Sequence, residues 1–262
     1  MLFTHNTSGR RIPLILTHGM YGFLPYRRAR TMAEYMGPEQ PIYGLEAPGF
    51  DGVSKPFASI QDAASGYLQE IRRAGAKGPF VVAGLCAGCL VAFQIAQQLT
   101  IEAQFAGGKG APPLLLMIDP PGIPGEGVSP AKFTPAVVDL LREQVRTWFL
   151  GARDRTEELP FDIDDPESFA RGIEAALALE MSMNRYFAAP YFGRVEILVI
   201  ENRAEILRRK NWPWQKVLAG AWNMTTIACR HSDLFTSQAP EVFAWLKNHI
   251  DAVQADAAPR PA

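Results

Sequence analysis

The sequence predicts an α/β fold, a mostly parallel central sheet with helices on both faces. Two observations carry this. Short apolar runs alternate along the chain with longer amphipathic stretches, the rhythm of strand–helix–strand units. One of those runs passes through a glycine-bracketed turn straight into an apolar helix. At 262 residues the chain is long enough for one such domain with a sizeable core.

Taken in order, the expected strands are Pro13–Thr17, Pro41–Leu45, Phe80–Ala83, Leu114–Ile118, Val195–Ile200 and Met224–Ala228. The expected helices between and after them are Tyr26–Met36, Ile60–Ala74, Ala87–Leu99 and Pro240–Ile250. Right-handed crossovers then gather the strand carboxyl ends along one edge, where ligands bind. Residues 121–194 break the rhythm, with no convincing strand among them. Two helical patterns fill the interval, Pro135–Phe149 and Ser168–Tyr186, joined by an acidic linker, Asp154–Asp165. The first has Val137, Val138, Leu141, Val145, Trp148 and Phe149 at helical spacing. This is expected to be a helical lid insertion, since one crossover rarely needs so many residues. Residues 1–250 read as a single domain. Residues 251–262, rich in Ala and Pro, read as a disordered tail.

Composition narrows the function classes. Apolar residues make up 48% and charged residues 20%, with a net charge of −1, which gives no support for nucleic-acid binding. No apolar run is long enough to span a bilayer. Met1–Asn6 lacks a basic region followed by an apolar stretch, so a cytoplasmic protein is expected. Three cysteines are too few, and odd in number, for a disulfide framework.

The most informative stretch is Phe80-Val81-Val82-Ala83-Gly84-Leu85-Cys86-Ala87-Gly88-Cys89-Leu90. An apolar strand runs into Gly-x-Cys-x-Gly and a helix follows at once. This is the nucleophile elbow of the α/β-hydrolase fold with cysteine at the nucleophile position. Gly84 and Gly88 remove side chains that would crowd the tight turn, and Cys86 at a helix N-terminus is placed to form a thiolate. Other readings exist for these cysteines: Cys86 as a packing residue, Cys86 and Cys89 as a redox CxxC, or the three cysteines and His231 as zinc ligands. No second short-spaced pair accompanies the zinc reading, so no metal is expected.

A thiol nucleophile needs a base. Of four histidines, His5 precedes the first expected strand and reads as mobile, His249 as a helix-surface residue, and His18 ends the first expected strand. In this fold the base follows the final strand, which selects His231. His18-Gly19 shapes the turn that donates an oxyanion N–H, assigned to Met20, with the second from Ala87. The orienting carboxylate is expected at a strand end. Asp119 after Leu114–Ile118 is the clearest choice, with Glu201 and Glu205 as alternatives.

From Ile12 to Ile250 the chain resembles the thioesterase domains of non-ribosomal peptide and polyketide synthases. The stretches that carry the likeness are Ile12–Gly19, Gln40–Gly49, Gly78–Gly88, Val91–Ala96, Leu116–Asp119, and the closing His231 followed by Pro240-Glu241-Val242. The resemblance implies that Asp119 completes the triad and that a helical lid lies where the insertion falls. It also implies the substrate, an acyl or peptidyl thioester on the phosphopantetheine arm of a carrier protein, with no cofactor in the domain itself. An acidic carrier would favour a basic docking face, and Arg27, Arg28 and Arg30, or Arg208, Arg209 and Lys210, could form one. Trp148, Tyr186, Phe187, Tyr191, Trp212 and Trp214 could line an acyl pocket. Two positions depart from the family pattern: Cys86, where most members have serine, and Cys229-Arg230, where glycine is usual. The rivals are a small-lactone hydrolase of the dienelactone type, which would place an aspartate after Val195–Ile200, and a non-catalytic binding protein of the same fold.

Overall fold

A computed structural model describes residues 2–22, 26–105, 107, 112–122, 133–154, 159–209 and 212–257. Its centre is a seven-stranded sheet of β1 (Leu2–His5), β2 (Leu14–Thr17), β3 (Ile42–Leu45), β4 (Val81–Leu85), β5 (Leu114–Ile118), β6 (Val195–Ile200) and β7 (Trp222–Ile227). The spatial order is β1-β3-β2-β4-β5-β6-β7. Every pairing is parallel except β1 with β3. This is the α/β-hydrolase architecture that the sequence predicts.

The short apolar runs form strands because both faces of the sheet are covered. Alternate residues go to opposite sides. Ile15, Val82, Leu115, Met117 and Ile197 face one core with α2 (Ile60–Arg73) and α3 (Gly88–Phe105). Leu14, Leu16, Val81, Leu114 and Leu116 face the other with α1 (Tyr26–Met36) and α7 (Ala239–Ala257). Helix ends follow local chemistry. The Ser59 hydroxyl caps α2 by accepting from Asp62 N at 3.0 Å, and Asp165 caps α5 (Pro166–Arg185) by accepting from Ser168 N at 2.7 Å.

Two helices, α4 (Pro135–Asp154) and α5, fill the insertion between β5 and β6. Arg142 of α4 pairs with Glu174 of α5 at 2.8 Å. The two also share a small core with Ala47 and Phe50 after β3, built on Val145, Phe149, Ile173 and Ala176. The insertion's residues 123–132 and 155–158 lie outside the described part.

Three expectations are corrected. His5 is not mobile. It belongs to β1, which pairs antiparallel with β3 (His5 opposite Ile42), a strand whose short, mixed sequence gave no apolar pattern to read. The chain is helical to Ala257 rather than disordered from residue 251. Asp251 accepts from Lys247 at 2.6 Å and pairs with Arg11, and the Gln254 side-chain Oε1 accepts from Ile12 N at 2.8 Å. These polar ties to the chain before β2 substitute for the apolar stripe that the tail lacks. Residues 258–262 lie outside the described part. Finally, an unanticipated helix, α6 (Glu201–Arg209), follows β6 directly.

Candidate active site

The strand register assembles the site. Leu85 pairs with Ile118, so the next residue of each strand, Cys86 and Asp119, stands at the same edge. Ile200 pairs with Ile227, which brings the chain after β7 to that edge as well.

Cys86 sits between β4 and α3 with φ 49°, the left-handed region that costs a non-glycine residue about 1–3 kcal/mol. The turn holds it there. Its N–H donates to Ile118 O at 2.8 Å, and Cys89 N donates to Cys86 O at 3.0 Å. A Cβ on Gly84 would come within 2.7 Å of Cys89 Cα, and one on Gly88 would collide with the carbonyl of His18. Both glycines are therefore steric requirements, and the second shows that the turn after β2 touches the elbow. Thr17 reinforces that contact by donating to Gly88 O at 2.9 Å. Met20 opens a 3₁₀ turn, Met20–Gly22, on one side of the contact, and Ala87 lies on the other. Ala87 N–H, just ahead of α3, has no place in the helical hydrogen-bond ladder. Cys89 is buried beneath the elbow, its thiol donating to Gly84 O at 3.2 Å, and burial pushes that thiol well up.

His231 opens a 3₁₀ turn, His231–Asp233, beyond β7. Its Nδ1–H donates to Asp119 Oδ2 at 2.5 Å, and the Cys86 side chain lies close enough to the same ring to favour its protonated form. These two partners push His231 up to about 9 against the opposing effect of burial. His18 behaves oppositely. Fully buried, with its ring against Tyr67, it is pushed down to about 4 and stays neutral. His249 is half-buried against Trp245 in the middle of α7.

Asp119 is fully buried and also left-handed, with φ 47°. Its Oδ1 pairs with Arg203 Nε at 3.3 Å and accepts weakly from Ile200 N at 3.4 Å. The Arg203 Nη1 donates to the carbonyls of Asp119 and Pro120, each at 3.0 Å. Glu201 and Glu205 are exposed on α6, and Asp119 is the carboxylate on His231. The Cys229-Arg230 departure is accommodated: Arg230 is 85% exposed and its Nε pairs with Asp233 at 3.1 Å, closing the turn that carries His231.

Above the site, Tyr21 is left-handed at φ 57°, and its ring lies 5.0 Å from that of Trp148 and 5.9 Å from that of Phe149, both on α4. Burial, Glu180 of α5 and Cys86 all push its hydroxyl up, so the insertion and Cys86 share one environment. Of the aromatics expected in an acyl pocket, Trp148 packs against Tyr21. Tyr186, Tyr191, Trp212 and Trp214 are buried in the core beside α3, and Phe187 is 71% exposed. In the basic clusters, Arg30 is exposed near Glu34, whereas the side chains of Arg27, Arg28, Arg208 and Arg209, and all of Lys210, lie outside the described part. Arg203, Thr17 and Tyr21 were not singled out from sequence. Only Arg203 left a trace there, a cation in the first turn after an apolar strand where this fold often keeps its acid.

Comparison with known proteins identifies the fold and the family. The family model described as the thioesterase domain matches residues 27–250. Aspulvinone E synthetase melA of Aspergillus terreus is 38% identical over 82 residues, 30% of this chain but 9% of that protein's length. The covalent complex of the NocB thioesterase domain with a fluorophosphonate nocardicin G analog superposes with a TM-score of 0.70 at 22% identity, covering 95% of this chain and 99% of that one. A four-domain nonribosomal peptide synthetase bound to AMP and glycine matches with a TM-score of 0.69 at 18% identity, over 98% of this chain and 20% of that one. Among the described residues no helix is long and apolar enough to cross a membrane.

Proposed function

The chain belongs to the thioesterase-domain family, and from that premise we propose that it releases an acyl or peptidyl chain from a carrier-protein phosphopantetheine thioester through an acyl-S-Cys86 intermediate. The observation that carries this reading is the position of His231, whose ring hydrogen-bonds Asp119 and is close enough to Cys86 for that side chain to favour its protonation. A base must reach its nucleophile and be oriented by a third group, and this arrangement meets both requirements.

The proposed sequence is as follows. The Cys86 thiolate, paired with the His231 imidazolium, attacks the thioester carbonyl. The N–H groups of Met20 and Ala87 receive the oxyanion. The carbon–sulfur bond to the carrier arm breaks, and His231 gives its proton to the departing thiolate. In the second half, His231 takes a proton from water or from an amine or hydroxyl of the chain itself. That oxygen or nitrogen attacks the acyl carbon, and Cys86 leaves as thiolate. Asp119 holds the ring in one tautomer throughout. The carrier arm is part of the substrate, and the domain's own side chains supply the remaining chemistry.

Cysteine at residue 86 favours ring closure or acyl transfer over plain hydrolysis. Transfer from one thiol to another is close to thermoneutral, so the acyl group keeps an electrophilicity that an oxyester would lose. The insertion supports this choice, because Trp148 and Phe149 over Tyr21 would exclude water from the intermediate. The partner is an acyl or peptidyl carrier protein, in keeping with the multidomain synthetases that the chain resembles.

Intact-protein mass spectrometry after mixing with a panel of acyl-pantetheine thioesters tests the reading. A substrate-derived mass on the wild type and none on Cys86→Ala is the expected result, with the released product distinguishing ring from free acid. A wild type that acquires no adduct and turns over none of the panel would overturn it.

A further inference from the structure

The contacts of Asp119 are divided between two cations. Oδ2 receives His231 Nδ1–H at 2.5 Å, while Oδ1 faces Arg203 Nε at 3.3 Å. The same guanidinium holds the backbone, through Nη1 to the carbonyls of Asp119 and Pro120. One planar fork thus grips both the side chain and the main chain of the acid, from the first turn of α6.

The chemistry of a triad explains why this is useful. A carboxylate with no solvent exposure needs a compensating charge at all times. His231 supplies one only while protonated, and the proposed cycle makes it give its proton away. Arg203 is charged at every stage. Asp119 is free to turn about its terminal bond unless both oxygens are occupied. The arginine fixes Oδ1 and leaves Oδ2 as the face presented to the ring.

We propose that Arg203 is a positioning residue for the acid, fixing the Asp119 carboxylate toward His231 and balancing its charge when the imidazole is neutral. This rests on the Cys86–His231–Asp119 reading above. Among the described residues, the ionisable groups near this centre include the thiols of Cys86, Cys89 and Cys229 and the hydroxyl of Tyr21. With the arginine removed, the whole of the carboxylate's charge would act on His231. The ring would then hold its proton more tightly and serve less well as the acid for the leaving thiolate.

The test compares wild type, Arg203→Gln and Arg203→Lys. Alkylation of Cys86 by iodoacetamide, read by peptide mapping, gives the pH profile of the thiolate–imidazolium pair without any substrate. Acylation by an acyl-pantetheine thioester gives kcat and KM. In Arg203→Gln the alkaline limb should move up by about 1 pH unit. Acylation kcat should fall about 10- to 100-fold with KM nearly unchanged, as for other partners that orient a functional group through a second residue. Arg203→Lys keeps the charge but loses the fork, so its limb should stay at the wild-type position while its rate is only partly restored. Wild-type profile and rate in Arg203→Gln would overturn the proposal. So would full wild-type rate in Arg203→Lys, which also decides the matter if the glutamine variant does not fold. A shifted alkylation limb in an Arg203→Gln protein whose wild type accepts no thioester would uphold Arg203 and reject the release reaction instead.

Discussion

Cys86 is held by backbone sterics, whereas Asp119 and His231 are held by side-chain hydrogen bonds. On the Cys86 side, two glycines have no room for a Cβ, and the cysteine's place follows from the path of the main chain. On the acid–base side, three residues from three different connections meet through polar atoms: Asp119 after β5, Arg203 in α6 and His231 after β7. The difference teaches where each half is vulnerable. The elbow should resist changes of polarity and fail on added volume. The acid–base side should tolerate small changes of volume and fail when a donor, acceptor or charge is lost.

The largest expected effect tests the second half. Asp119→Asn keeps the shape but reverses the preferred tautomer of His231 and removes its counter-charge, so acylation should fall on the order of 10⁴-fold while the circular dichroism spectrum is preserved. A fall of less than tenfold would show that the ring is oriented by something other than the carboxylate. Next comes the first half. Gly88→Ala forces a methyl group against the His18 carbonyl, and urea unfolding should show a loss of about 3 kcal/mol or more. A near-neutral result would mean that the elbow can relax, and the contrast between the halves would weaken. The smallest effect is a titration. His231 rises from an ordinary 6.5 to about 9 in the folded protein. The folded state therefore binds the proton more tightly, and its contribution to stability is complete below the unfolded value and disappears as pH rises through about 9. The melting-temperature advantage of wild type over His231→Gln should accordingly narrow between about pH 6 and about pH 10. An advantage that grows over that interval would contradict a protonated ring.

The same contrast governs what could be read from the sequence. The elbow was legible because its constraints are local: strand, glycine, nucleophile, glycine and helix are contiguous in Phe80–Phe93. Asp119 and His231 were legible only as strand-end positions, since no pattern in the chain states that their atoms meet. Arg203 left only the trace of a cation after an apolar strand, in α6, a short charged helix that the sequence reading did not anticipate. β1 escaped because an edge strand of four residues carries little pattern, and the end of α7 because polar ties to Arg11 and Ile12 replace apolar packing there. Most of the aromatics expected around the substrate turned out to be core, a distinction that burial makes and sequence does not.

The left-handed backbone at Tyr21, Cys86 and Asp119 bears on how such a protein can change over generations. None of the three is a glycine, and all follow the carboxyl ends of strands, so the candidate site is also a place where the native backbone is strained. Selection for heat resistance alone would press on these positions and drift away from activity. A lineage that becomes more thermostable while keeping its reaction must find its gains elsewhere, in helix caps, surface charges and the two cores that flank the sheet.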